Sequence, residues 1–126
     1  MDVINKSKEL LSLTYSLVMN EKKIPKKHRY FLGMSLYESV NTITCSIFSA
    51  NNIFPRTKED LEERRSFQKI ALHECSLFLN KLEIYASLLP NISYKDVEKL
   101  AMLANSIKAL ISGWAKSDVK QFGDLP

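Results

Sequence analysis

The stretch TKEDLEERRSFQKIALHECSLFLNKLEIYASLL, from Thr57 to Leu89, decides the fold class. Leu61, Gln68, Cys75, Leu82 and Leu89 recur one heptad apart, and Ala71, Leu72, Phe78, Leu79, Tyr85 and Ala86 fill the positions between them. A repeat of about 3.5 residues keeps one stripe of a helix facing its partner, so this spacing predicts a long helix packed as in a coiled-coil-like bundle. Thr57 and Asp60 stand at capping-box distance, with Asp in place of the usual Glu, and mark where that helix opens.

The flanking segments read the same way. Upstream, Gly33, Leu36, Tyr37, Val40, Ile43, Thr44 and Ile47 are spaced by threes and fours. Several of them are β-branched, but that propensity is worth only a few tenths of a kcal/mol per residue, and the helical period over so long a run outweighs it. Nearer the N-terminus, Ile4, Leu11, Tyr15 and Val18, widened by Leu10, Leu13 and Leu17, predict a helix with one buried face, and Asp2 is placed to cap it. Downstream, Ser93 and Asp96 repeat the capping arrangement. Val97, Leu100, Ala101, Ala104, Ile107, Ile111 and Trp114 then mark a buried side, and the tail beyond Ser117 is expected to fray. Pro25, Pro55 and Pro90 separate the segments, because the residue before a proline is pushed out of helical geometry. The expectation is one all-α domain over residues 1–126, an antiparallel up-down-up-down four-helix bundle with helices near 3–20, 26–51, 57–89 and 93–117.

Composition agrees with a single core. The 126 residues are 45% hydrophobic and 25% charged, a globular balance that argues against a disordered chain. Apolar runs are interrupted by Lys, Glu or Asn well short of the roughly 20 residues of a membrane span. The N-terminus lacks the apolar core of a secretory signal, so a cytoplasmic location is the default expectation. Cys45 and Cys75 fall inside helical patterns, which predicts buried, reduced thiols rather than a disulfide framework.

Catalytic patterns fail on spacing. Neither histidine has a glutamate three residues before it, as a di-iron bundle needs. His73-Glu74 begins like the zinc motif His-Glu-x-x-His, but Leu77 stands where the second nitrogen ligand would be. Arg65 and His73 resemble the Arg-to-His helix motif of small helical ribonucleases with too long a gap, which leaves that activity as a remote alternative. Three glycines cannot build a phosphate loop or a nucleophile turn. The expectation is no enzyme, no metal and no cofactor.

What remains is charge. Net charge is +4, and its densest cluster is Lys22, Lys23, Lys26, Lys27, His28 and Arg29 around Pro25. Cations on a proline-stiffened loop suit phosphate contact with counterion release, and a solvated loop is the alternative reading. Arg64, Arg65 and Lys69 form a second group, diluted by Glu59, Asp60, Glu62 and Glu63. Tyr30 and Phe31 could stack on bases beside the loop, although aromatics at helical spacing more often enter a core.

Two motifs narrow the field: Ile24-Pro25-Lys26-Lys27-His28-Arg29-Tyr30-Phe31-Leu32-Gly33 leading into the second helix, and Ile111-Ser112-Gly113-Trp114-Ala115-Lys116-Ser117 in the last. With the Leu89-Pro90-Asn91-Ile92-Ser93 turn they make the chain resemble the accessory variability determinant family, the four-helix-bundle accessory proteins of diversity-generating retroelements. The resemblance implies a homopentameric ring, association with the reverse transcriptase of the same element, and binding of RNA or DNA during mutagenic cDNA synthesis and retrohoming. Carried over by position, Pro25 to Arg29 is a basic surface for polymerase or RNA. Pro25, Gly33, Gly113 and Trp114 become packing positions, glycine letting a neighbouring helix approach and the indole covering the joint. The bundle proteins of ribosomal-RNA intervening sequences share the Arg29-Tyr30-Phe31-Leu32-Gly33 run, and a general RNA- or DNA-binding bundle of that type is the alternative. They carry Asn-Ile-Ala-Glu-Gly at the end of the second helix, where this chain has Ser46-Ile47-Phe48-Ser49-Ala50-Asn51, and its net charge is modest for a strong RNA binder.

Overall fold

The computed structural model describes residues 2–126. Its long helices are α1 (Asp2–Met19), α3 (Met34–Asn51), α4 (Lys58–Leu88) and α5 (Tyr94–Phe122). A short helix α2 (Lys26–His28) and a π-helical turn (Arg29–Gly33) lead directly into α3. Helix α1 packs on α3 and α5, and α4 packs on the same two, which closes a four-helix ring. Cross-links at the helix ends fix the directions. Lys23, just beyond α1, pairs with Asp96 at the start of α5; Ser35 at the start of α3 meets Tyr85 near the end of α4; Arg64 near the start of α4 meets Asp118 near the end of α5. Neighbours are therefore antiparallel, and the protein is an all-α up-down-up-down bundle. Among the described residues, no helix is long and apolar enough to cross a membrane.

Both expected capping boxes form. The Thr57 hydroxyl accepts from the Asp60 N–H at 3.1 Å while the Asp60 carboxylate accepts from the Thr57 N–H at 3.2 Å. Ser93 and Asp96 do the same at the start of α5. Each box satisfies two of the amide donors that a helix start leaves free. Between them, Gln68, Cys75 and Leu82 of α4 are buried on the predicted heptad stripe, with Leu89 just past the helix, and Phe78 fills the centre of the bundle.

Four expectations need correction. The buried face of α1 is Val3, Ser7, Leu10, Thr14 and Leu17, with Val18 beside it; Tyr15 is exposed, and Ile4 and Leu11 only flank the core. Two small hydroxyl residues sit in this seam. Ser7 is tolerated because its hydroxyl donates to the Ile4 carbonyl at 2.8 Å, so a reading by hydrophobicity alone shifts the stripe toward the leucines. Asp2 lies within the first turn of α1, where its charge meets the positive end of the helix dipole. Cys45 is exposed on α3; Cys75 alone is buried, and burial, outweighing the nearby Lys108 ammonium, pushes its thiol up to about 12 with Glu74 adding to the rise. The last helix does not end near Ser117. Helix α5 continues to Phe122, whose ring meets Phe54 edge-to-face at 5.6 Å, and the Pro126 carbonyl accepts from the Lys58 N–H at 2.9 Å. This contact holds the chain end against the α3–α4 connection.

Where α1 meets the lead-in to α3, a valine side chain of α1 lies close to the backbone of Gly33. Gly33 is buried, and a Cβ there would lie 2.8 Å from Cγ1 of the buried Val18. Gly113 does the opposite of its expected packing role. It is exposed, and a Cβ there would meet nothing within 4 Å, because that turn of α5 faces outward.

Gly33→Ala should therefore lower stability, since overpacking of about 1–3 kcal/mol exceeds what alanine gains in helix propensity. Gly113→Ala should raise it by about 0.5–1 kcal/mol, because only the propensity changes. Denaturant midpoints of the two variants measure both signs, and movement in the same direction would contradict the packing described. A third outcome concerns acid. Burial works to raise the Asp96 pKa, but the Lys23 hydrogen bond, the Ser93 N–H and hydroxyl, and the Lys23 charge together hold it below the usual carboxylate value. A carboxylate depressed in the folded state adds stability above its unfolded pKa of about 3.9 and loses it as pH falls through the folded value. Asp96→Asn should flatten the loss of stability on acidification below about pH 4, read from melting curves at successive pH values.

Candidate binding surfaces

The π turn shapes one end of the bundle. It is a wider helical turn that shifts the side-chain phase, and turns of this kind recur at functional positions. Leu32, Gly33 and Leu36 face inward, whereas Tyr30 and Phe31 are 77% and 72% exposed. Their rings contact each other edge-to-face, with centroids 5.3 Å apart. A core location for these two aromatics is thus overturned. With Met34, Ser35 and the exposed carboxylate of Glu38 they border a depression of about 300 Å³. A second depression of about 210 Å³ adjoins the same end, between Pro25, Lys27 and His28 on one side and Leu88 and Pro90 on the other.

The six cationic or titratable residues of the first loop do not act as one set. Arg29 turns back, its Nε donating to the Val18 carbonyl at 3.1 Å and its Nη2 to the Met19 carbonyl at 3.3 Å, with Glu21 3.7 Å away. It satisfies carbonyls that the end of α1 leaves free, where the helix dipole favours a cation. Lys23 is held by Asp96 at 2.6 Å. Both have structural work that removes them from the free basic surface. Lys22, Lys26 and Lys27 remain exposed, without a carboxylate at ion-pair distance among the described residues, and His28 lies half-buried beside them. Pro25 stands half-buried at the start of α2 with φ −54°, the geometry its ring imposes, across the second depression from Leu88 and Pro90.

The second basic group divides further. Arg64 is buried, not presented. Its Nε lies 3.2 Å from Asp118 Oδ2, its Nη1 donates to the Ile53 carbonyl at 3.2 Å, and its guanidinium stacks on the Trp114 ring at 4.8 Å from the centroid. Gln68 completes the group by donating from Nε2 to Asp118 Oδ2 at 2.9 Å. Trp114 therefore does pack, against an arginine and without help from Gly113. Arg65 is half-buried and faces a groove between α4 and α5, and exposed Lys69 borders the same groove one turn on. His73 is exposed about 12 Å farther along the helix, so Arg65 and His73 occupy separate surroundings.

Sequence reasoning missed the Arg64–Asp118–Gln68 group and the groove beside it. The signal was present: Asp118 continues the heptad of Ala104 and Ile111, and Gln68 occupies a heptad position of α4. Polar residues in phase with a core stripe of two adjacent helices mark a buried pair. Among the described residues, no three His, Cys, Asp or Glu side chains converge as metal ligands. No protein-family model matches the chain, and comparison with curated proteins returned no match either.

The buried pair carries a prediction of its own. The Arg64 and Asp118 side chains are 10% and 6% exposed, so Asp118→Ala strands a charge and should cost about 3–5 kcal/mol. Replacing both by apolar residues, Arg64→Met with Asp118→Leu, should cost much less, because no unpaired charge is left. Urea unfolding of the single and double variants tests this, and a double variant as unstable as the single would refute it.

Proposed function

We propose that this chain is a non-catalytic accessory subunit whose binding surface is the end of the bundle formed by Lys26, Lys27, Tyr30 and Phe31. The observation that carries this reading is the exposed aromatic pair set beside unpaired lysines. Lysines neutralise phosphates without regard to sequence, and aromatic faces stack on unpaired bases, so the combination suits a single-stranded nucleic acid better than a duplex. Large exposed rings on a protein of this size also mark a contact surface for another macromolecule.

The motifs at Ile24 to Gly33 and Ile111 to Ser117 supply the specific setting. By their resemblance to the accessory variability determinants, the partner is a retroelement reverse transcriptase and the nucleic acid is its template RNA or cDNA, with the protein acting as a homopentamer. In such a ring the lysine–aromatic end is repeated around an axis, and a weak contact of one subunit becomes avid. A modest net charge is then sufficient. A general RNA- or DNA-binding bundle would use the same surface without the polymerase.

Two measurements separate these readings. Co-expression with a neighbouring reverse transcriptase is expected to give a complex that survives purification at low salt; failure leaves only the general nucleic-acid reading. In single-stranded RNA titrations, Lys26→Gln with Lys27→Gln should reduce the slope of log affinity against log salt by about 1–2. Tyr30→Ala or Phe31→Ala should weaken binding by about 1–3 kcal/mol at unchanged slope. RNA binding indifferent to all four changes would reject this surface.

A further inference from the structure

The groove between α4 and α5 lies at the end of the bundle opposite the lysine–aromatic surface and has a volume of about 520 Å³. That is within the range of small-ligand sites, about 300–1,000 Å³. Gln68 is among its lining residues. Gln68 is only 1% exposed, and its Nε2 is committed to Asp118, which fixes the amide orientation, since a reversed amide would set oxygen against carboxylate. Gln68 Oε1 is thereby a buried acceptor with no partner. Arg65 Nη1, on the wall of the same groove, is a buried donor with no partner. Unpaired buried polar atoms are costly, and a ligand that supplies their complements gains what the free protein lacks.

Charge and shape restrict that ligand further. Asp118 is neutralised by Arg64, so Arg65 and Lys69 face only Glu62, and the lining is net positive by one charge. Leu61, Ala115 and Val119 provide an apolar wall. We infer that the groove binds a carboxylate flanked by an amide N–H and an apolar side chain: the carboxylate on Arg65 and Lys69, the N–H donated to Gln68 Oε1, and the side chain against Leu61, Ala115 and Val119. A nucleotide would bring more negative charge than the lining neutralises and a polar sugar against the apolar wall. The inferred chemistry is shared by a free N-acylated amino acid and by the C-terminal residue of a polypeptide.

Titration of the 15N-labelled full chain with N-acetyl-leucine, with an acetylated tetrapeptide ending in leucine, and with the C-terminal amide of that peptide tests the inference. The acids should shift amide signals around Gln68 and Asp118 at about 1 mM or below. The amidated peptide should bind at least about tenfold more weakly, because its end carries no charge. Binding of both acids alike identifies a free acylated amino acid as sufficient; binding of the peptide alone identifies a polypeptide C-terminus. Lys69→Gln, an exposed change that leaves the core intact, should weaken the acids and not the amide. No shift with any probe, equal affinity for acid and amide, or indifference to Lys69→Gln overturns the inference.

Discussion

The Arg64–Asp118 pair holds the register of the bundle. A buried guanidinium must be paired, and here Arg64 is held by two elements: Asp118 and the face of Trp114 on α5, and the Ile53 carbonyl of the α3–α4 connection. Sliding α4 against α5 by one turn would separate the charges and strand both. Apolar side chains alone tolerate such slips, because one leucine can replace another at the next turn. The pair thus acts as a positional lock, and Gln68, drawn to the same carboxylate, opens the groove beside it.

At the other end the constraint is steric. Gly33 lets the lead-in to α3 lie against Val18, and Arg29 reaches back from that approach to the last carbonyls of α1. Together with the Lys23–Asp96 contact, this ties the first loop to both α1 and α5. The loop is therefore anchored at Lys23 and Arg29, while Lys22, Lys26 and Lys27 stay exposed. The π turn follows it and presents Tyr30 and Phe31 outward.

The two ends differ in chemistry. One offers loose lysines and aromatic faces, suited to an extended anionic partner; the other offers a walled groove with individually unpaired atoms, suited to a small group of defined shape. About three turns of apolar core separate them, from Leu82 to Ala71 along α4. A close-packed core of this kind transmits rigid-body strain but leaves two surface sites chemically independent.

Much of the fold was legible in the chain itself. The heptad of α4, both capping boxes and the prolines between segments are local signals, and local physics supports them: a hydroxyl three residues before a carboxylate, just after a proline-broken turn, satisfies the free amides of a helix start. The α1 seam was misplaced because Ser7 and Thr14 carry no hydrophobic signature, and the end of α5 because the contacts of Phe122 and Pro126 are with residues far away in sequence. The candidate surfaces were legible as a list of cations and one aromatic pair whose exposure was open. A lysine and an arginine look alike in sequence whether free or engaged, and only the tertiary partners distinguish Lys26 and Lys27 from Lys23, Arg29 and Arg64. Sequence by itself determined that four amphipathic helices must hide their apolar faces together. Which charges that burial captured, which aromatics it turned outward, and where it left an unpaired amide in a groove were decided by contacts between distant segments, because electrostatic and steric partners are properties of space and not of the chain.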